Sequence, residues 1–282
     1  MPSTPRSGGP PQDSRHPRAY LGGAAGRTGW ADISTAEELL QDLDAHDVDK
    51  TVLVQTSFST WDNGYVADSA LKYPDRFVSM GLVDPQDHDN ASAVRYWIEE
   101  RGMAGFRLHP MYYNEEAVLT AERNAEMWDV IDKAGAVVQL HMFAEHAPQV
   151  ATVAERHPGL RLVLDHLCYP QVAESPEFAS HQQVLDLARF PSIFVKVSDV
   201  HGRSKESFPY ADVHPFIRKV QGAFGIERLM WGTGYPGRLR EKYGWPTLAN
   251  ELRLVREGYS WLTGPEKDRL LGGTAEVVWG LS

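Results

Sequence analysis

The chain has 282 residues, and 28 Lys and Arg residues against 38 Asp and Glu residues give it a formal net charge of −10 at pH 7. This acidity disfavours a nucleic-acid partner, because no stripe of Lys and Arg is available to neutralise phosphates. A small-molecule substrate is the better expectation, and the length suits a single α/β barrel.

Cysteine content and hydropathy indicate the cellular setting. Cys168 is the single cysteine, which excludes an internal disulfide and suits a reducing cytosol. No apolar run approaches the roughly 20 residues of a membrane span, and the first residues lack the apolar centre of a signal peptide. We therefore expect a cytoplasmic protein with no membrane partner.

Composition divides the chain near residue 30. Residues 1–30 alternate Pro and Gly with Arg and are predicted to form a disordered tail, which leaves 31–282 as one barrel domain. Thr35 and Glu38 have the spacing of a capping box, and leucines follow at helical spacing. A helix over about 35–46 is predicted.

Beyond this helix, short β-branched runs alternate with amphipathic stretches, a pattern typical of parallel strands joined by helices. The predicted strands are Lys50–Thr56, Arg76–Val83, Gly105–His109, Ala136–His141, Arg161–His166, Ile193–Ser198 and Arg228–Thr233. A doubly wound sheet is the alternative, but no Gly-rich phosphate turn follows any strand. We predict a (β/α)₈ TIM barrel whose first strand is missing or degenerate, because only the tail precedes the first helix. The unpaired strand edges of such a barrel favour marginal stability or a homo-oligomer.

Polar side chains end four of these strands, at the edge where barrel enzymes carry their active sites. They are Arg107, His109, His141, His166, Lys196 and Ser198. Residues two apart on a strand face the same way. Arg107 is therefore expected to project with His109, and Lys196 with Ser198.

His141 and His166 are the candidate catalytic pair. Two neutral imidazoles on adjacent strands can bind a divalent metal, or one of them can act as a general base near neutral pH. The alternative is that each only hydrogen-bonds to a neighbouring loop. Asp165 precedes His166 on the same strand, so we expect its side chain to point to the opposite face.

The remaining strand ends are candidate substrate-binding groups. Arg107 suits bidentate recognition of a carboxylate, with a buried salt bridge to Asp84 or Asp165 as the alternative. Lys196 can orient a carbonyl or a carboxylate, unless it is simply paired, and His109 faces the same side as Arg107.

Other reactive side chains carry less weight. Cys168 is expected to pack in the interior rather than react, because no electropositive setting for a thiolate is visible. The histidines outside the strand ends are expected to be solvated, since they lie in loops or at helix ends. They include His181 and His201.

The ordered series of these segments resembles the amidohydrolase-related family of TIM-barrel hydrolases and decarboxylases. The resemblance runs from about Trp30 to Leu281 and is carried by Trp30–Leu40, Val48–Gln55, Gly105–His109, Val163–His166, Phe194–Ser198 and Arg228–Pro236. The family includes lactone hydrolases, some of which work without a metal, and aminocarboxymuconate-semialdehyde-type decarboxylases that use zinc. The resemblance implies that His141 and His166 match the family's histidines on its fifth and sixth strands. It also implies that Arg107 matches a position that often contacts a substrate carboxylate.

Two departures from the family pattern concern the acid–base and metal-binding groups. The family begins with a His-x-His pair at the end of its first strand, whereas here His16 stands alone. Its eighth strand usually ends in an aspartate, and the corresponding position here is Gly234. We therefore expect either no cofactor or a weakly bound divalent metal such as zinc, with His141 and His166 as the remaining ligands.

These observations favour a hydrolase that acts on a small carboxylated or lactone-like substrate. In that hypothesis Arg107 binds the substrate's anionic group, and His141 or His166 performs acid–base work. The alternative is a barrel repurposed as a decarboxylase, or a non-catalytic barrel that binds a small molecule.

Overall fold

The computed structural model describes residues 34–57, 61–235, 240 and 244–281. The predicted tail over 1–30 and His16 lie outside these described residues. Among the helices of the described part, none is long and apolar enough to cross a membrane.

A parallel sheet forms the centre of the molecule, and its strands lie side by side in chain order. The strands are β1 Thr51–Val54, β2 Phe77–Leu82, β3 Gly105–Leu108, β4 Val137–Leu140, β5 Arg161–Leu164, β6 Ile193–Val197 and β7 Leu229–Trp231. Every strand lies within a predicted run. In the part of the chain that the structure describes, β1 pairs only with β2 and β7 only with β6. The sheet is therefore a curled, open half-barrel, which confirms the predicted barrel with its first strand unaccounted for.

Helices cover the outside of the sheet. They are α1 Ala36–Asp44, α2 Gly64–Lys72, α3 Asn90–Arg95, α4 Ala125–Lys133, α5 Ala147–Arg156, α6 Gln182–Asp186, α7 Val200–Arg203, α8 His214–Phe224, α9 Leu248–Arg253, α10 Gly264–Asp268 and α11 Thr274–Trp279. The first helix begins at the predicted capping box, in which Thr35 and Glu38 each accept a hydrogen bond from the other's backbone N–H. This reciprocal cap satisfies two donors that the first helical turn leaves free.

Alternate residues of the strands point into the half-barrel and form a small inner core. Met80, Val137, Val163 and Met230 meet there, and Val278 of α11 packs against them. Because side chains alternate along a strand, residues two and four positions further along β3 to β6 point inward at the carboxyl edge. This inner core therefore decides which polar residues enter the site above it.

The β3–β4 contact requires a glycine at its first position. A Cβ added at Gly105 would lie 2.1 Å from the backbone carbonyl oxygen of Val137, a separation that backbone atoms cannot tolerate. Gly105 therefore lets β3 approach β4 closely enough to place Arg107 beside the end of β5.

We predict that Gly105→Ala lowers the free energy of unfolding by about 3 kcal/mol or more, because β3 and β4 must separate to admit the methyl group. The matched control is Gly222→Ala in α8, where an added Cβ meets no atom within 4 Å. There the better helix former should raise stability by about 0.5–1 kcal/mol. Urea unfolding followed by circular dichroism measures both, and equal stabilities of the two variants would contradict the prediction.

Candidate active site

A left-handed turn at the end of β5 brings two consecutive residues into the site. Asp165 continues the inward alternation of Val163, and the next four residues, His166 to Tyr169, all have φ between 50° and 61°. Left-handed backbone is costly for residues with a side chain, and here it redirects His166 inward beside Asp165. The expectation that Asp165 points away was wrong. Asp165 points inward like Val163 two residues before it, and it is His166 that departs from strand alternation, because the left-handed turn begins there.

The carboxylate of Asp165 is the hub of the site. It is fully buried, and Arg107 donates a hydrogen bond from Nη2 to its Oδ2. Gln139 donates from Nε2 to the same oxygen over 2.9 Å, and Nζ of Lys196 lies 2.7 Å from Oδ1. Of the two alternatives for Arg107, the buried salt bridge to Asp165 is present, and Lys196 is paired with the same carboxylate.

The charges of this cluster leave an excess of one positive charge. Although burial by itself raises the pKa of Asp165, the nearby Arg107, His166 and Lys196 hold that pKa well below its usual range. Burial lowers the pKa of Lys196, and the adjacent Asp165 opposes that shift. Contact with an ionised carboxylate favours the ammonium form of Lys196. Two cations therefore share one carboxylate.

The hydrogen bonds of His166 fix its tautomer. Nη2 of Arg107 lies 3.2 Å from Nε2 of His166, and Oγ of Ser198 lies 2.9 Å from Nδ1. A guanidinium only donates, so Nε2 accepts and Nδ1–H donates to Ser198. Burial lowers the pKa of His166 to about 3, which agrees with a neutral ring. Nε2 of His166 also lies 3.5 Å from Oδ2 of Asp165, but with Nδ1 protonated toward Ser198 the ring is not placed to take the proton of the Ser198 hydroxyl.

His141 stands at the centre of a row of aromatic rings. Its ring centroid lies 5.1 Å from that of His109, 5.3 Å from that of His166 and 5.6 Å from that of Tyr112. Nε2 of His141 is hydrogen-bonded to the hydroxyl of Tyr169, and Nδ1 is buried without a partner among the described residues. Burial, followed by the charge of nearby Arg107, lowers the pKa of His141 well below its usual value. His141 and His166 are thus both neutral.

A cavity of about 700 Å³ adjoins this cluster. It extends along the edge between β1 and β7 and reaches Arg107, Gln139, His166 and Lys196. Gly232, just after β7, also lines it. A Cβ at Gly232 would lie 2.6 Å from Cδ of Lys196, so the absence of a side chain there makes room for the lysine stem.

The residues present do not fit a zinc ion. Within the described ranges, no group of three or more His, Cys, Asp or Glu side chains is arranged to hold a metal. The carboxylate nearest to His166 is already paired with two cations, and a divalent ion placed there would meet the repulsion of both. A weakly bound divalent metal stays a prediction.

Gly234 lies in the segment that follows β7 and carries no acid–base group. A Cβ there would meet only Nη1 of Arg240, at 3.3 Å, and the φ of Gly234 is outside the left-handed region. A carboxylate at this position is therefore compatible with the backbone, and the sequence simply lacks one.

Cys168 is buried, as predicted, and burial raises the pKa of its thiol. The expectation that His181 and His201 are solvated was wrong. His181 is buried with Nε2 3.1 Å from the carbonyl oxygen of Cys168, and His201 lies between Asp199 and Glu251.

Sequence reasoning missed Gln139 and Tyr169. Gln139 could have been found, because it lies two residues before His141 and must share its face. Tyr169 could not, because it reaches His141 only through a left-handed turn that no local pattern indicates.

Comparisons with known proteins decide the family. The family model described as amidohydrolase matches residues 11–281. The chain belongs to the amidohydrolase family. The match begins inside the segment over 1–30 that composition separates from the rest.

Among curated amidohydrolase relatives, the chain is 27% identical to L-fucono-1,5-lactonase of Burkholderia ambifaria, over 78% of this chain and 79% of that protein. It is 25% identical to 4-sulfomuconolactone hydrolase of Hydrogenophaga intermedia, over 72% of this chain and 65% of that protein. Its fold is similar to a crystal structure of a probable 2-pyrone-4,6-dicarboxylic acid hydrolase from Acinetobacter baumannii with citric acid bound. That likeness has a TM-score of 0.74 at 19% identity and covers 87% of this chain and 89% of the other.

We predict that Asp165→Asn destabilises the protein by about 3–5 kcal/mol, because it leaves two buried cations without their counter-ion. The double variant Asp165→Asn/Lys196→Met should be less destabilised than the sum of the single variants, since it restores the net charge. Chemical denaturation of the four proteins measures this coupling, and strict additivity would contradict it. Because the folded pKa of Asp165 is depressed, its contribution is present above pH ~4 and is lost as the pH falls further.

Gly232→Ala is predicted to displace the stem of Lys196 and to weaken its contact with Asp165. We expect at least a tenfold loss in whatever turnover the wild type shows, because a misplacement of about 1 Å can cost about 10²-fold. Gly234→Ala is the matched control, since its Cβ meets only the end of a flexible arginine. Similar kinetics for both alanine variants would show that the passage of Lys196 past Gly232 is unimportant.

Proposed function

We propose that this protein is a hydrolase that opens a small lactone with water and releases the hydroxy acid. The observation that carries the proposal is the cationic floor of the site, where Arg107 and Lys196 share the single carboxylate of Asp165 beside a cavity. Attack on a lactone carbonyl places negative charge on its oxygen. A site with an excess of one positive charge stabilises that charge as it develops.

The relatives support the same class of substrate. L-fucono-1,5-lactonase and 4-sulfomuconolactone hydrolase are both named for lactones. Their rings differ, since one is a sugar lactone and the other carries a sulfonate. The shared chemistry is a cyclic ester, and that is the class we assign to this chain.

The side chains of the site have distinct roles in this proposal. Lys196 and Arg107 attract the carbonyl oxygen or a carboxylate of the substrate, with Asp165 holding both in place. His166 and His141 stay neutral, so they serve as hydrogen-bonding groups rather than as additional cations. His109, whose ring contacts those of His141 and Tyr112, forms part of the wall against which the substrate ring lies.

The proposed hydrolysis proceeds without a metal. The carboxylate of Asp165, which a metal beside His166 would need as a ligand, is already paired with Arg107 and Lys196. We predict that protein purified without added zinc opens at least one of L-fucono-1,5-lactone, 4-sulfomuconolactone and 2-pyrone-4,6-dicarboxylate. EDTA should leave this activity unchanged. Acid release followed with a pH indicator measures turnover, and elemental analysis should find well under one zinc per chain.

The cationic floor is tested with Lys196→Met, which we expect to lower kcat by about 10²–10³-fold, the effect typical of losing an oxyanion-stabilising group. Lys219→Met is the matched control, because Lys219 is exposed on α8 and should behave as wild type. Release of CO₂ from 5-carboxyvanillate with no lactone opened would favour a decarboxylase. Binding of the lactones without turnover would favour a non-catalytic barrel.

A further inference from the structure

Opening a lactone with water requires a group that takes a proton from that water, and the residues at the floor of the site are already engaged. The side chain of Asp165 is 0% exposed and is ion-paired with Arg107 and Lys196. Nε2 of His166 accepts from Arg107, and its Nδ1 carries the proton. The identity of the group that takes this proton rests on the proposed lactone hydrolysis.

His141 is equally unsuited to meet a water molecule. Its Nε2 is taken by the hydroxyl of Tyr169, and its Nδ1 is buried. Burial lowers its pKa well below the usual value, so its affinity for a proton is weak. The base must therefore lie higher in the site, toward solvent.

Asp199 lies beside this cluster of side chains. It follows Ser198, whose Oγ contacts His166, at the carboxyl edge of β6, and its φ of 54° turns the chain sharply at this point. The side chain of Asp199 is 27% exposed, compared with 0% for Asp165 and 5% for Glu251. Water can therefore reach this carboxylate, whereas it cannot reach the other two.

The surroundings hold Asp199 against the row of rings. Nη2 of Arg203 lies 3.3 Å from its Oδ2, and the same guanidinium lies 4.7 Å from the ring centroid of Tyr169, which is bonded to His141. A Cβ at Gly202 would lie 2.6 Å from Oδ1 of Asp199. The absence of a side chain at Gly202 thus leaves space for the Asp199 carboxylate. Arg203 and Tyr169 connect this carboxylate to His141.

We propose that Asp199 is the general base of this site and takes a proton from the water that attacks the lactone carbonyl carbon. The water oxygen forms the new bond to that carbon, and the carbonyl oxygen becomes an oxyanion above Lys196 and Arg107. The intermediate then expels the ring oxygen, which receives the proton held by Asp199. The ring C–O bond is broken, the product is a hydroxy acid, and the carboxylate is regenerated.

The charges around Asp199 suit this role. Burial raises the pKa of Asp199, nearby Asp165 acts in the same direction, and Arg203 and Arg240 oppose the shift. His201, with Nε2 3.8 Å from Oδ1, is neutral near pH 7, because burial lowers its pKa to about 4. The other carboxylate of this cluster, Glu251, is paired with Arg240. A base with a raised pKa holds the proton that it has taken more readily.

The decisive variant is Asp199→Asn, because asparagine keeps the size of the side chain and tolerates left-handed backbone. It is assayed with the lactone that the wild type opens fastest among the three named above. We expect kcat to fall by about 10²-fold or more while KM changes little. The rise of kcat with pH, which in the wild type should lie above the ordinary range of an aspartate, should vanish. Asp68→Asn is the control, since Asp68 is also paired with an arginine but lies on α2.

Arg203→Gln distinguishes a general base at position 199 from a residue that only positions its neighbours. It also provides the test if Asp199→Asn does not fold. Removing this cation should raise the pKa of Asp199, so the acid limb of the kcat profile should move to higher pH. A loss of kcat without that movement, or an Asp199→Asn variant with wild-type kcat, would overturn the assignment of Asp199 alone. A wild type that opens none of the three lactones would overturn the proposed function, and the assignment with it.

Discussion

The site depends on one buried carboxylate that neutralises two buried cations. Asp165 joins the ends of four neighbouring strands, because Arg107 comes from β3, Gln139 from β4 and Lys196 from β6. An isolated charge at this depth would cost several kcal/mol in lost hydration. The pairing makes it possible for a cationic floor to exist inside a small barrel, and every other group of the site is arranged around it.

The second constraint is the left-handed turn over His166 to Tyr169. Four successive residues with positive φ are unfavourable by roughly 1–2 kcal/mol each, a cost that the surrounding packing must offset. The turn supplies His166 to Arg107 and Ser198, and it supplies Tyr169 to His141. Backbone strain of this kind commonly accompanies functional sites. Here the end of β5 contributes Asp165, His166 and Tyr169 to the site.

The distribution of charge also explains why the imidazoles are poor bases. They are buried next to two cations, so protonation would add a third positive charge in a region of low dielectric. Both rings instead act through fixed hydrogen bonds. Asp199, which retains access to water, lies nearer to solvent, where Arg203 and Arg240 partly offset its charge. Buried cations and one accessible carboxylate suit a reaction in which an oxyanion forms at depth and a proton is taken nearer to solvent.

The sequence by itself determined the barrel-type alternation of parallel strands and helices, because such patterns are local properties that each run of residues carries independently. All seven strands and the capped helix at Thr35 could be located in this way. It also determined that Arg107, His109, His141, His166, Lys196 and Ser198 lie at strand ends, which follows from where each run stops.

The tertiary structure alone decided which of these side chains pair. When strand alternation is counted from His166, Asp165 is predicted to point outward. Val163 packs in the inner core, so Asp165, two residues later, points toward the centre. The tautomer of His166 depends on an arginine 59 residues away, and Tyr169 and Asp199 reach their positions through backbone conformations with positive φ. Pairing partners and left-handed turns are set by contacts between distant segments, and for that physical reason no local pattern in the sequence could specify them.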